Sequence, residues 1–251
     1  MNLLNARVRA VAGKEFAEYR RNPLVVASMS LLPAFLLAVA LAGLIPLPDG
    51  AADQELRMAG GAALELFLMV PMIIPTVVAV YSVLGEREQG TLEPLLTTPA
   101  TDGELLRGKA IAAGLPAVLL SWLLFGLFAA AGALWMRPSV LRWVLTGESI
   151  FAALVFTPFM AAFAVMSTMI ISARSRDLRV AQQLSGLAIV PMFLVAVVIS
   201  FRFVPMSYPL YALIAAGLGL LDGLGWLLLR RVFDRERLLA GSHVPEKRAV
   251  R

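Results

Sequence analysis

Few residues in this 251-residue chain have the types and spacing that chemistry needs. The nearest approach to a nucleotide site is residues 103–110 (GELLRGKA), which keep the spacing of a phosphate-binding P-loop up to the last position. There Ala110 stands where a Ser or Thr hydroxyl would hold Mg²⁺, no strand precedes the segment, and Leu105 and Leu106 suit a helix entering a membrane better than a phosphate cradle. The chain has no cysteine, which excludes disulfides, thiolate metal sites and cysteine nucleophiles. Its single histidine, His243, lies in a polar tail, and no HExxH occurs, so no metal site and no catalytic group is predicted. An intramembrane hydrolase would want a Ser–His pair, two aspartates or a His cluster within the bilayer. The one carboxylate deep in an apolar run is Asp222, with no clear partner in another span.

The elements that must position these residues are apolar runs at 23–45, 62–84, 110–135, 149–172, 184–201 and 209–229. Each reaches or nearly reaches the ~20 residues that a helix needs to cross a hydrocarbon core of about 30 Å. Hydrophobic residues make up 59% of the chain and charged residues 16%, against ~25% charged in an average soluble domain. The fold class is therefore an all-α integral membrane protein with six transmembrane helices. Its net charge of +5 reflects loop asymmetry rather than nucleic-acid binding. Eighteen of the 22 basic residues fall in the N-terminal segment, the loops after the second and fourth spans, and the tail. Only Arg57, Arg137, Arg142 and Arg202 fall on the other side. The positive-inside rule then puts both termini in the cytoplasm.

Residues 1–22 read as an interfacial amphipathic helix. Leu4, Val8, Val11, Ala12, Phe16 and Tyr19 fall on one stripe, with Arg7, Lys14, Glu18 and Arg21 opposite, a pattern suited to the headgroup boundary. Pro23 breaks this helix and turns the chain inward. Residues 23–229 form the six-span domain and 230–251 a basic cytoplasmic tail. Pro71 and Pro75 in the second span each remove a backbone hydrogen bond, predicting a kink or local unwinding. Pro116, Pro158 and Pro191 interrupt the next three spans. Bent helices can line a pathway or pivot, and Pro71, Pro75 and Pro191 are the candidates for that role. Asp222 lies within the sixth span, where a charge costs ~2.5–3.5 kcal/mol on insertion scales. Ala215, Gly219 and Gly223 recur beside it and would permit close helix packing. A hydrogen bond to a neighbouring helix, snorkelling to the inner surface, and a substrate or proton role all fit it. Glu65 and Glu148, near the outer ends of their spans, read as solvated.

The loop after the second span, residues 85–109 (GEREQGTLEPLLTTPATDGELLRGK), carries the most information. Thr91 can cap a short helix that tolerates Pro94 in its first turn, and Leu92, Leu95 and Leu96 then share a face. Pro99 ends that helix. Thr101–Glu104 has the spacing of a capping box leading into the third span. An apolar patch with a charged rim is a docking surface.

This loop resembles the signature of the ATP-binding-cassette type 2 (ABC-2 type) permease family. It has the charged Glu-Arg-Glu cluster, the Gly-Thr-Leu-Glu step, Leu-Leu, a Pro after a Thr, and the Glu-Leu-Leu…Gly-Lys re-entry. Lys14-Glu15…Arg20-Arg21-Asn22-Pro23 and Ser172-Ala173-Arg174-Ser175-Arg176 resemble the family's corresponding flanks. The resemblance implies a cytoplasmic coupling helix resting in a cleft of a separate ATPase subunit. Glu86, Arg87, Glu88, Gly90, Thr91, Leu92, Glu93, Leu95 and Leu96 would make the contact. It also implies two permease subunits, identical or different, with the pathway at their interface. ATP and Mg²⁺ would be bound by the partner, leaving this chain without a cofactor and without enzymatic activity of its own.

The expected function is thus the permease subunit of a transporter in the cell (plasma or inner) membrane, in contact with lipid. Short outer loops favour export over import, and apolar walls favour an apolar or amphiphilic substrate. An intramembrane hydrolase and a non-catalytic scaffold are the alternatives, and a scaffold leaves the 85–109 loop without a reason.

Overall fold

The computed structural model of the chain describes residues 5–85, 100–175, 177–202 and 208–232. In order these form α1 (Ala6–Tyr19), α2 (Pro23–Leu44), α3 (Asp53–Val80, continued by a π-turn over Tyr81–Gly85), α4 (Asp102–Trp135) and α5 (Pro138–Val144). The chain continues through α6 (Gly147–Arg174), α7 (Leu178–Ala188), α8 (Val190–Ser200) and α9 (Tyr208–Val232). Among the described residues, six helical stretches are long and apolar enough to cross a membrane: α2, α3, α4, α6, the α7–α8 pair and α9.

Local sequence explains where the helices start. Asn22 accepts hydrogen bonds from the Leu24 and Val25 backbone N–H groups, and Pro23 occupies the first turn of α2, where its missing N–H costs nothing. Thr101 and Glu104 form the predicted capping box: the Glu104 N–H donates to Thr101 Oγ1, and the Thr101 N–H donates to Glu104 Oε2 at 2.8 Å. Thr146 caps α6 by accepting from the Ser149 N–H, and Asp177 caps α7 by accepting from the Val180 N–H.

At the centre, α3 packs against α6, with α4 and α2 on its flanks and α7–α8 closing another side. α3 is the most enclosed span and α9, which rests chiefly on α6, the least. In lipid no hydrophobic driving force separates helix from helix, so close packing must hold the bundle. Small residues supply it: Ala112, Ala113 and Ala117 of α4 and Ala152, Ala153 and Ala164 of α6 are all buried. Phe67 of α3 meets Phe125 and Phe128 of α4 at centroid distances of 5.7 and 4.9 Å. Such aromatic pairs contribute ~0.5–1.5 kcal/mol each beyond their burial.

Several expectations need correction. The second span starts nine residues before position 62, at Asp53, so Glu65 lies well inside α3 and is 6% exposed rather than solvated. Helix continues through Pro71, Pro75, Pro116 and Pro158. Thr76 and Thr157, each beside a proline, turn their hydroxyls back onto the carbonyls of Met72 and Ala153, the kind of local satisfaction that lets proline persist in a membrane helix. The irregularity in α3 comes later, in the π-turn. The fifth span does break: α7 stops at Ala188, Ile189 forms a turn, and Pro191 sits in the first turn of α8. The short helix α5 has no counterpart in the sequence reading.

Two polar clasps tie the end that the charge count places outside. Asp49, in the α2–α3 connection, accepts hydrogen bonds from Ser139 Oγ at 2.6 Å and Arg137 Nη1 at 3.1 Å. The Ser139 hydroxyl, followed by Arg137, holds the Asp49 carboxyl below its usual range. Arg202 reaches Thr146 Oγ1 at 2.6 Å and Ser149 Oγ at 3.1 Å, lies 3.5 Å from half-exposed Glu148, and stacks over the Trp143 ring.

Candidate functional site

The residues assigned to ATPase contact, Glu86, Arg87, Glu88, Gly90, Thr91, Leu92, Glu93, Leu95 and Leu96, lie outside the described residues. Both flanks of their loop are described, and those flanks hold a buried polar cluster. α1 is its third wall.

α1 begins with Asn5, whose side-chain oxygen accepts from the Val8 N–H at 2.9 Å. The same side chain donates to Glu104 Oε1, and Arg7 lies 3.6 Å from Glu104 Oε2. One helical turn on, Val8 and Val11 press against Gly108 of α4. A Cβ there would stand 2.5 Å from Val11 Cγ1 and 3.2 Å from the Val8 carbonyl oxygen, so only glycine admits this approach. The apolar stripe of α1 is the predicted one, but it faces protein: Val8, Val11, Ala12 and Tyr19 are buried, in large part against α4.

Glu15 shares that buried stripe. A carboxylate there needs partners, because burying an unpaired charge is costly. It finds Lys109, one residue past Gly108: Lys109 Nζ donates to Glu15 Oε1 at 2.6 Å, and both side chains are 1% exposed. Lys109 also donates to the Ser82 carbonyl at 2.6 Å and meets Ser82 Oγ at 3.2 Å. Ser82 Oγ in turn donates to Glu15 Oε2 at 2.6 Å, and the Tyr19 hydroxyl donates to the same oxygen at 3.3 Å. Burial, then the Glu15 charge, pushes the Tyr19 hydroxyl well above its usual range.

The result is a closed ring joining α1, the π-turn and α4. Ser82 sits in the π-turn, where widened i→i+5 geometry disturbs the regular ladder and a carbonyl can turn to a side-chain donor. Ser82 and Lys109 stand on opposite sides of residues 86–99, so Glu15 holds both roots of the loop. A polar cleft of about 510 Å³ opens onto the ring itself, lined by its members Glu15, Tyr19 and Ser82 together with Glu18, Arg21, Asn22 and Tyr81. Such an arrangement can transmit displacement: a push on the loop cannot move one root without straining a buried charge pair.

Sequence reasoning missed this ring. Glu15 and Lys109 entered it only as parts of quoted segments, and Ser82 did not enter. A signal existed: Glu15 lies on the Val8–Val11–Ala12–Tyr19 face, the one carboxylate on an apolar stripe.

The other named residues are scattered. Pro71 and Pro75 are buried in α3, while Pro191 is exposed at the α7–α8 break. Asp222 is half-buried on α9, and neither of its carboxylate oxygens has a hydrogen-bond partner among the described residues. The small residues beside it divide: an added Cβ on Gly219 would stand 3.3 Å from Phe159 of α6, whereas Gly223 faces open space. Glu65 is likewise without a partner among the described residues. No group of three or more His, Cys, Asp or Glu side chains suited to a metal ion occurs among the described residues.

Comparison with curated proteins finds no match to this chain. The family model described as ABC-2 family transporter protein matches residues 9–212, a stretch that begins within α1, crosses both roots of the loop and ends early in α9. With six membrane-length helices among its described residues, the chain belongs to the ABC-2 transporter family, as a multi-pass membrane permease component.

Proposed function

We propose that this permease subunit works in an ATP-driven exporter of the cell membrane, with both termini cytoplasmic, and that residues 85–109 carry its contact with a separate ATPase subunit. The observation that carries this is the Glu15–Ser82–Lys109 ring. A loop whose two roots are locked to a third helix by a buried ion pair is built to bear load, and Leu92, Leu95 and Leu96 supply its apolar contact face. The partner would bind ATP and Mg²⁺, so this chain supplies motion rather than hydrolysis.

Two such chains, identical or different, would form the pathway between them. The one stripe of α3 left partly open by its own chain runs through Leu66, Met69, Ile73, Val77 and Tyr81 at helical spacing. This stripe, rather than the buried Pro71 and Pro75 themselves, is the wall that α3 can offer. The break at Pro191 gives the fifth span a pivot. Asp222, on the least enclosed helix, then lies at the edge.

The test is replacement of Leu92, Leu95 and Leu96 by Asp. Charge placed in a packed interface without a partner is costly, so the ATPase should no longer co-purify while the permease stays in the membrane. Unchanged co-purification together with unchanged substrate-stimulated ATP hydrolysis would move the docking site elsewhere.

A further inference from the structure

α9 leans on α6 and scarcely touches α4, which leaves a groove between α4 and α9 floored by α6. It encloses about 490 Å³, within the roughly 300–1,000 Å³ of small-ligand clefts. Its walls are apolar, formed by residues such as Ile111, Val118, Pro158, Val165 and Trp226, and its two charged members are both arginines, Arg107 and Arg230. Both lie at the end that the charge count places in the cytoplasm. Neither has a carboxylate partner among the described residues: Arg107 donates through Nε to the Gly103 carbonyl at 2.9 Å, and Arg230 is exposed. From Arg107 to Val118 the groove follows eleven residues of α4, a rise of roughly 16 Å, or about half of a hydrocarbon core of about 30 Å.

A slot one leaflet deep, apolar along its length and capped by two cations, is the complement of one lipid chain beneath an anionic headgroup. We propose that this groove binds an anionic phospholipid of the cytoplasmic leaflet, one acyl chain along Ile111, Val165 and Trp226 and the phosphate between Arg107 and Arg230. Guanidinium groups suit this phosphate because they present planar, multiple donors and lose little hydration on entering the interface. The inference rests on membrane placement alone and does not need the ATPase, so failure of the docking test leaves it standing.

Trp226 is a built-in reporter. Purified full-length protein is titrated with phosphatidylglycerol or phosphatidylcholine carrying brominated chains, and the Trp226 signal is the difference between wild type and Trp226→Phe. Phosphatidylglycerol should quench Trp226 at several-fold lower lipid content than phosphatidylcholine. Arg107→Gln/Arg230→Gln should abolish that preference while both lipids still quench. Should that pair fail to fold, Arg230→Gln alone, at an exposed position, should reduce the preference. Gly114→Leu should reduce quenching by both lipids, because its first carbon has room 3.6 Å from Val165 and the rest fills the slot. Soluble glycerol phosphate should not displace the lipid. Equal quenching by the two lipids, a preference that survives loss of both arginines, or displacement by glycerol phosphate would each overturn the proposal. Absence of quenching by either lipid would put a protein segment in the groove and overturn it as well.

Discussion

Replacing Lys109 by Met keeps most of the length and volume of the side chain and removes its charge. Among the described residues, the Glu15 carboxylate, 1% exposed, would be left with the Ser82 and Tyr19 hydroxyls as donors, the latter at 3.3 Å. Breaking one side of a buried ion pair costs ~3–5 kcal/mol, most of it the penalty of a charge kept from water without a counter-charge. At about 1.4 kcal/mol per factor of ten, that is between two and four powers of ten in the equilibrium holding α1 on α4. The Ser82 carbonyl loses its donor at the same time, adding ~1–3 kcal/mol if nothing replaces it. The double variant Glu15→Met/Lys109→Met removes both charges together and should recover much of the loss, since apolar replacement of a buried pair is often neutral or stabilising. The assay has two arms, thermal unfolding of the purified chain and coupled ATP hydrolysis with its partner. Lys109→Met should lower the melting temperature and uncouple hydrolysis from substrate. The double variant should restore the melting temperature more fully than the coupling, because packing returns and the polar tie to the π-turn does not. A Lys109→Met protein as stable as wild type, or a double variant whose loss is the sum of the two single losses, would refute the idea of a closed ring.

Gly108→Ala should displace α1, since the new Cβ would sit 2.5 Å from Val11 Cγ1; overpacking of this kind costs ~1–3 kcal/mol, and faster proteolysis ahead of Pro23 would report it. Among single cysteines on α3, introduced into a chain that has none, those at 69, 73 and 77 should react with a water-soluble thiol reagent and be protected by substrate, whereas 70, 74 and 78 should stay inert. Labelling that clusters around position 222 instead would make α9 the wall of the pathway. A reporter active only outside the cell should signal when placed near Asp49 and stay silent at position 251; the reverse pattern would invert the topology. Asp49, held below its usual range by Ser139 and Arg137, should keep its clasp at neutral pH and lose it as pH falls through that lowered value. The acid-induced rise in labelling of a cysteine at position 47 should therefore be absent in Asp49→Asn, where the site is already loosened.

The sequence by itself determined what depends on composition and on neighbours within a turn. Apolar runs of membrane length give the six spans because an unpaired backbone in lipid is too costly for anything but helix. Thr101 and Glu104 cap α4 because their reciprocal bonds close over three residues. Asn22 and Pro23 separate α1 from α2 for an equally local reason. The Val8–Val11–Tyr19 stripe was legible too, though periodicity says only that a face is apolar. It does not say whether lipid or protein will cover it. Tertiary structure decided that. Gly108 lets α1 close onto α4, and this closure makes Glu15 a buried acid paired with a lysine 94 positions away. The same holds for Glu65, counted as solvated from its place near the end of an apolar run and buried because charged residues as far back as Asp53 also belong to α3. Proline was the weakest guide: Pro71 and Pro75 pass through an intact helix because packed neighbours hold it, whereas Pro191, at an exposed position where little does, marks a true break.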